Sequence, residues 1–377
     1  MVTTSDHRLA DAKAKPIKDV ADLLHINGLV RAGREWVGPC PGVGCGGRDR
    51  FSINTSKNLF NCRICGAKGD QVHLVMFVRG LDFLPALDWL CGPKQELSAA
   101  ELSERERRDR ENRERQQREQ QKYRENARRA AWKIWDEAVQ PEATPVRGYL
   151  TLRGIRSDIL TRMPKCLRYH PACPYMVSDD GQQWREVHRG PAMLAAIQGP
   201  DGKFSGVHRT WLDLSKPKGK AEITDPKTGK PQKAKKTLGS KKGGAIRLQP
   251  LGSVPQLIMA EGIETTLSAM IGGTHAEAAF WCGVDLGNMA GQRMLGKGRK
   301  FAGIPDLEDA EAFVPPEWVR ELIFIQDGDS EPRLTRAKLL SGCRRAMAKR
   351  AGLKARIVPV PEGLDLNDVL MGAADGR

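Results

Sequence analysis

Three short apolar runs, each ending in acid, constrain this chain more than any other feature. Leu257-Ile258-Met259-Ala260 breaks at Glu261-Gly262 and resumes as a helical stretch from Thr265 to Met270. Leu322-Ile323-Phe324-Ile325 ends in Gln326-Asp327-Gly328-Asp329, and Ala355-Arg356-Ile357-Val358 leads to Gly363-Leu364-Asp365-Leu366-Asn367-Asp368. Apolar runs of this length, bounded by turn residues, read as buried strands. A strand–turn–helix connection puts its turn at the carboxyl edge of a parallel sheet, where open α/β folds bind ligands. Carboxylates gathered at one edge repel one another, and divalent cations offset that repulsion. The last third of the chain is therefore expected to form a sheet with a metal-binding acidic edge.

Glu-Gly after a strand, Asp-x-Asp after a later strand and a further Asp-x-x-Asp resemble the Toprim domain shared by bacterial-type DNA primases, topoisomerases and some nucleases. The resemblance covers roughly residues 251 to 370. It implies that Glu261, Asp327 and Asp329 are catalytic and hold Mg²⁺ or Mn²⁺, with Asp365 and Asp368 extending the metal site. Phe280-Trp281-Cys282-Gly283-Val284-Asp285 fits the next strand and loop, and a helix from Thr335 to Arg350 is expected to bury Leu340, Cys343 and Met347 before stopping at Gly352.

A net charge of +15 and a pI of about 9.5 suggest a polyanionic partner, nucleic acid first. No apolar run approaches the roughly 20 residues of a membrane span, and the polar N-terminus lacks a signal-peptide core, so a cytoplasmic protein without a membrane partner is expected. Nine cysteines would then be reduced or metal-bound. Four of them fall in two close pairs, Cys40-x4-Cys45 and Cys62-x2-Cys65, separated by sixteen residues. Two close thiolate pairs suit one tetrahedral, structural Zn²⁺. Between them Arg50–Asn54 and Asn58–Asn61 read as two strands around a turn, and the stretch from Asp70 to Trp89 reads as helices packed on that hairpin. His73 is an alternative ligand, with a partly buried helix histidine as its plainer reading. Cys91, Cys166, Cys173, Cys282 and Cys343 read as small apolar residues.

Cys40-Pro41, Gly46-Gly47-Arg48-Asp49-Arg50-Phe51, Cys62-Arg63-x-Cys65-Gly66 and Gly69-Asp70 are similar to the zinc-binding domain of phage- and plasmid-encoded primases. Replicative bacterial primases commonly carry histidine as the second ligand, where this chain has Cys45. The resemblance implies contact with single-stranded template, for which Arg50 and Arg63 are candidates.

From Ser98 to Arg129 the chain is almost wholly Glu, Arg, Gln, Asn and Lys, which favours a solvated helix. Ala127, Ala130, Ala131, Ile134, Trp135 and Ala138 then form an apolar stripe that should dock on the next domain. Tyr149-Leu150-x-x-Arg153-Gly154-Ile155 resembles the start of the catalytic core of the same primases. A hairpin is expected from Met193–Ile197 and Phe204–Thr210 around Pro200-Asp201-Gly202, with His208 and Arg209 on an exposed face. Ser215 to Lys242 holds ten lysines among Gly and Pro, and reads as a loop that is mobile without ligand. By resemblance, Arg209, Lys241 and Lys242 are carried over as nucleotide or template contacts.

The reading is thus an α/β chain: a zinc ribbon over 1–93, a charged helical linker over 94–140, a basic α+β primase-core subdomain over 141–250, and a Rossmann-like Toprim domain over 251–377. The resemblance implies a primase making short RNA primers on single-stranded DNA from nucleoside triphosphates, for a phage, plasmid or other mobile element. Nine residues follow Asp368, so a fused helicase is not expected: any helicase is on a separate chain, or the protein works without one. The rivals are a Toprim nuclease and a non-catalytic zinc and DNA-binding accessory protein; a topoisomerase would need a tyrosine in a separate DNA gate.

Overall fold

The computed structural model describes residues 6, 8–32, 35–93, 99–178, 183–272, 277–294, 301–328 and 331–372. It divides into two compact units, Met1–Asn112 and Arg113–Arg377. In the first, α1 (Arg8–Ala14) and α2 (Ile17–Leu23) precede an antiparallel sheet of β1 (Val30–Ala32), β2 (Glu35–Gly38), β3 (Phe51–Asn54), β4 (Leu59–Cys62) and β5 (Lys68–Gly69), paired in sequence order. The expected hairpin is β3–β4, and two further strands extend it on the β2 side. Along β4, Phe60 and Cys62 are buried while Leu59 and Asn61 face solvent, the two-residue alternation of a sheet with one wet face. Asn58 takes a left-handed φ of 56° in the β3–β4 turn, a conformation asparagine tolerates. Its Nδ2 donates to the carbonyls of Lys13 and Lys15, pinning the turn to the corner between α1 and α2. Helices α3 (Gln71–Arg79) and α4 (Phe83–Cys91) close the core with Val72, Val75, Ala86 and Leu87.

Helix α5 (Ala99–Asp136) runs through the polar stretch; Ala131, Trp135 and Ala138 are buried in the second unit, where the Arg168 guanidinium lies 4.5 Å over the Trp135 ring. After α6 (Pro145–Leu152) come β6 (Leu167–Val177), β7 (Arg185–Gln198) and β8 (Phe204–Trp211). β7 and β8 pair across the expected Pro200-Asp201-Gly202 turn. The lysine-rich stretch, expected as a loop, folds instead: β9 (Ile223–Thr224) pairs with β10 (Pro231–Gln232), and β11 (Lys235–Gly239) is the edge strand of a β11-β8-β7-β6 sheet. Two buried acids tie it down, one inside the stretch and one outside it. Asp225 takes both Nη atoms of Arg185 at 2.7 and 2.5 Å, and Glu264 pairs with Lys235.

The last five strands are β12 (Ile246–Gln249), β13 (Gln256–Ala260), β14 (Ala279–Cys282), β15 (Glu321–Gln326) and β16 (Lys354–Pro359), interleaved with α7 (Ile263–Ile271), α8 (Leu286–Ala290), α9 (Pro332–Lys349) and α10 (Leu366–Leu370). Their order is β12-β14-β13-β15-β16, with β13 through β16 parallel and β12 antiparallel. Both faces are covered. Leu257, Met259, Leu322 and Phe324 pack with Met289 of α8 and with Leu339, Cys343 and Ala346 of α9. Ile258, Ala260, Ile323 and Ile325 pack with Met270 of α7 and Val369 of α10. Two-sided burial explains why these strands are continuously apolar. The α9 stripe differs from the expected one, because Met347 is exposed and Ala346 is buried. The helix turns to bury Arg345, whose Nη2 donates to the carbonyls of Gln292 and Asp306 at 2.6 and 3.1 Å. Counting apolar residues alone misses that polar anchor. No helix among the described residues is long and apolar enough to cross a membrane.

Candidate functional site

Two sites can be built from these elements, one in each unit. In the first, Cys40 and Cys45 lie in the turn after β2, and Cys62 and Cys65 straddle the end of β4. Each pair is shaped by backbone bonds: Cys40 N–H donates to Gly47 O at 2.8 Å, and Cys62 N–H to Ala67 O at 2.7 Å. The Sγ atoms of Cys40 and Cys65 are 3.9 Å apart, those of Cys45 and Cys62 3.7 Å, and all four lie within 4.8 Å of one another. Tetrahedral zinc with Zn–S bonds of about 2.3 Å requires edges near 3.8 Å. The thiols therefore fit one Zn²⁺. Burial opposes ionisation of Cys62, but the Cys65 and Ile64 N–H groups win and bring its thiol down to about 7. His73 stands apart from the thiols and is exposed rather than partly buried; its Nδ1 meets Asp70 Oδ1 at 2.7 Å. Arg50 and Arg63 are exposed beside the thiols, tied by Arg63 N–H to Arg50 O at 3.0 Å.

The second site lies at the carboxyl edge of β13, β14 and β15. From β13 the chain moves to β14 on one side, then crosses to β15 on the other. The switch point of the sheet is therefore between β13 and β15, where a crevice opens. Glu261 follows β13 and Asp327 follows β15. Asp365, at the N-cap of α10, reaches the same place. All three line one cavity of about 340 Å³, with Arg153, His208, Lys218, Lys220, Lys235 and Glu264. Among the described residues these carboxylates do not converge as the thiols do, but hard oxygen donors suit Mg²⁺ or Mn²⁺. Asp329 lies outside the described residues. Asp368 does not line the cavity; it completes a reciprocal cap with Asp365, each accepting the other's backbone N–H, at 2.7 and 3.1 Å.

Gly328 explains how the acids come together. Its N–H donates to Leu364 O, and its carbonyl accepts from Gly363 N–H, both at 2.9 Å, so the Asp327 turn is stitched to the loop carrying Asp365. Val284, which also lines the cavity, has a φ of 71°. A β-branched residue is rarely found there, and such strain clusters at functional sites.

The basic residues differ most from expectation. Arg209 and His208 are 3% and 8% exposed, so neither presents an open face. They are neighbours on β8 and point to opposite sides of the sheet. Arg209 is packed over Trp211 at 5.1 Å and donates to Pro174 O at 3.3 Å, away from the cavity. His208 faces the cavity; burial, with Lys235 nearby, pushes it down to about 3, so it is neutral. Lys241 pairs with Asp285, which caps α8, and Lys242 pairs with Glu311. The cations in the cavity are instead Arg153, from the Tyr149–Ile155 motif, and three lysines of the lysine-rich stretch. Glu264 has a sequence signal, an acid three residues after Glu261 on the inward side of α7. Nothing local identifies its partners.

A family profile described as a CHC2 zinc finger matches residues 9–106, and one described as a domain of unknown function (DUF7146) matches residues 125–248. The chain is 31% identical over 84 residues to a DNA primase of Geobacillus stearothermophilus, a match spanning 21% of this chain and only 14% of that protein. Among solved structures it is similar to the Aquifex aeolicus primase (zinc-binding and RNA polymerase domains), with 15% identity and a TM-score of 0.39 over 97% of this chain and 82% of that one. It is also similar to the primase fragment of the bacteriophage T7 primase-helicase protein, with 13% identity and a TM-score of 0.32 over 89% and 94%. At these TM-scores the α/β assignment rests on strand order and register. The four-cysteine cluster of the N-terminal unit lies within the zinc-finger match over residues 9–106.

Proposed function

We propose that this chain, with its primase-type zinc ribbon, is a DNA primase that makes short RNA primers on single-stranded DNA for a phage, plasmid or other mobile element. The observation that carries this reading is the shared cavity: Glu261, Asp327 and Asp365 arrive from three strand ends and meet Arg153, Lys218, Lys220 and Lys235. Nucleotidyl transfer has to activate a 3′-hydroxyl and neutralise a leaving pyrophosphate. Mg²⁺ or Mn²⁺ held by Glu261, Asp327, Asp329 and Asp365 would supply that Lewis-acid chemistry. The chain's own cations take the nucleoside triphosphate: Lys218, Lys220 and Lys235 face its phosphates, and Arg153 sits 3.5 Å from Asp365, joining the acidic and basic sides. Glu261 would hold a metal or accept the hydroxyl proton. The ribbon, through Arg50 and Arg63, grips the template backbone.

Labelled ribonucleotide incorporation on single-stranded DNA, with Mg²⁺ or Mn²⁺, tests this. Wild type should yield short RNase-sensitive oligonucleotides, and Asp327→Ala should bind DNA but yield none. Degraded template would replace the reading with a nuclease. Binding with neither activity would replace it with an accessory role.

A further inference from the structure

We propose that Glu264 is a positioning residue, the fixed counter-ion that holds Lys220 and Lys235 charged and aimed at the carboxylate edge, so that the cavity keeps its grip on phosphate up to alkaline pH. Glu264 is 4% exposed, on a helix that also buries Ile263, Thr265, Thr266, Leu267 and Ser268. A buried carboxylate is retained at such a place only if it is paired. Its Oε2 accepts from Lys235 Nζ at 2.9 Å; its Oε1 lies 3.4 Å from Lys220 Nζ and accepts the Tyr149 hydroxyl. Both oxygens are thus engaged by the protein.

Burial alone would raise Glu264, but the two ammonium groups and the Tyr149 hydroxyl hold it well below the usual carboxylate range. It is therefore an anion at any working pH. Two lysines facing one fixed carboxylate leave a net positive charge. The other charged or titratable groups lining the cavity are Arg153 at the C-cap of α6, Lys218, neutral His208 of β8, Cys282 of β14, whose thiol burial pushes up to about 12, and the acids Glu261, Asp327 and Asp365. Two more atoms on this wall await acceptors or donors. Arg153 Nε and His208 Nδ1 are buried without a hydrogen-bond partner among the described residues, in residues 6% and 8% exposed that both line the cavity. A phosphate chain supplies the acceptors such a wall lacks.

The proposal rests on the nucleotidyl-transfer reading only for what carries the phosphates, so its test does not use synthesis. Binding of inorganic pyrophosphate and of ATP is measured by calorimetry on the full chain between about pH 6.5 and pH 9. With Glu264→Gln the lysines keep the burial that lowers them and lose the charge that raises them. The variant should bind at least as tightly as wild type at the acid end, where both lysines are charged without Glu264, and about tenfold more weakly at the alkaline end. Glu264→Asp should restore the alkaline limb, and Tyr149→Phe should leave it in place. An equal loss at every pH, no loss at all, or no binding by wild type overturns the proposal. If Glu264→Gln does not fold, wild type still decides: Lys235 should acylate more slowly than exposed lysines near pH 8, and equal or faster labelling refutes the charge assignment. Pyrophosphate binding with this pH profile, in a protein that makes no primers, would sink the primase reading and leave this one standing.

Discussion

Gly328→Ala tests whether the Asp327 turn and the Asp365 loop are one fitted unit. Gly328 is not in the left-handed region, so alanine brings no backbone strain of its own. The conflict is one of space. A Cβ there would lie 2.1 Å from Pro361 O and 2.9 Å from Leu364 O, whereas ordinary contact begins at 3.4 Å. Both neighbours are backbone and cannot rotate away. Relief requires the two segments to part by 3.4 − 2.1 = 1.3 Å, which strains the pair of 2.9 Å bonds between Gly328 and the Gly363–Leu364 turn. Overpacking of this kind costs about 1–3 kcal/mol, and each kcal/mol lowers the melting temperature of a unit this size by roughly 2–4 °C. The effect on activity should be larger in proportion, because a misplacement of about 1 Å at a reacting centre costs on the order of a hundredfold. The assay is nucleotide incorporation at saturating substrate beside a thermal melt of the same preparation. A modest fall in melting temperature with about a hundredfold loss of rate is expected. Wild-type rate in a folded variant would refute the idea that Gly328 sets the spacing of the two acids.

Two other substitutions or titrations have defined outcomes. Cys62→Ser should abolish the single bound zinc, read by metal analysis, and lower the stability of the N-terminal unit. The loss should be less than the roughly 10–16 kcal/mol of isolated zinc-finger peptides, because the Phe51–Ile53–Phe60 core remains; unchanged zinc content would show that another ligand completes the site. His208 should show no titration by NMR between about pH 5 and pH 8, since burial holds it near 3. An unfolded histidine binds its proton near 6.5, so the unfolded state gains protons first. His208 therefore contributes stability above about pH 6.5 that is lost as pH falls toward 3; a His208 resonance shifting near pH 6.5 in the folded protein would contradict this.

Much of the framework was legible in the chain itself because it depends on short-range chemistry. The four-cysteine spacing and the apolar runs before Glu261, Asp327 and Asp365 are local patterns, and β13, β15 and β16 lie on those runs. The same holds for β3, β4 and the β7–β8 hairpin, whose turn residues sit in the sequence beside the strands they join. Tertiary structure decided which charges meet. Arg209 and His208 looked alike as basic residues on one strand, yet packing sends one over the Trp211 ring and the other into the cavity. The lysine-rich stretch read as a solvated loop because the partners that fix it, Arg185 of β7 for its own Asp225 and Glu264 of α7 for Lys220 and Lys235, meet it only after the sheets assemble. A charge is stabilised by what surrounds it in space, through burial and partner distance, and neither quantity is written in the order of residues.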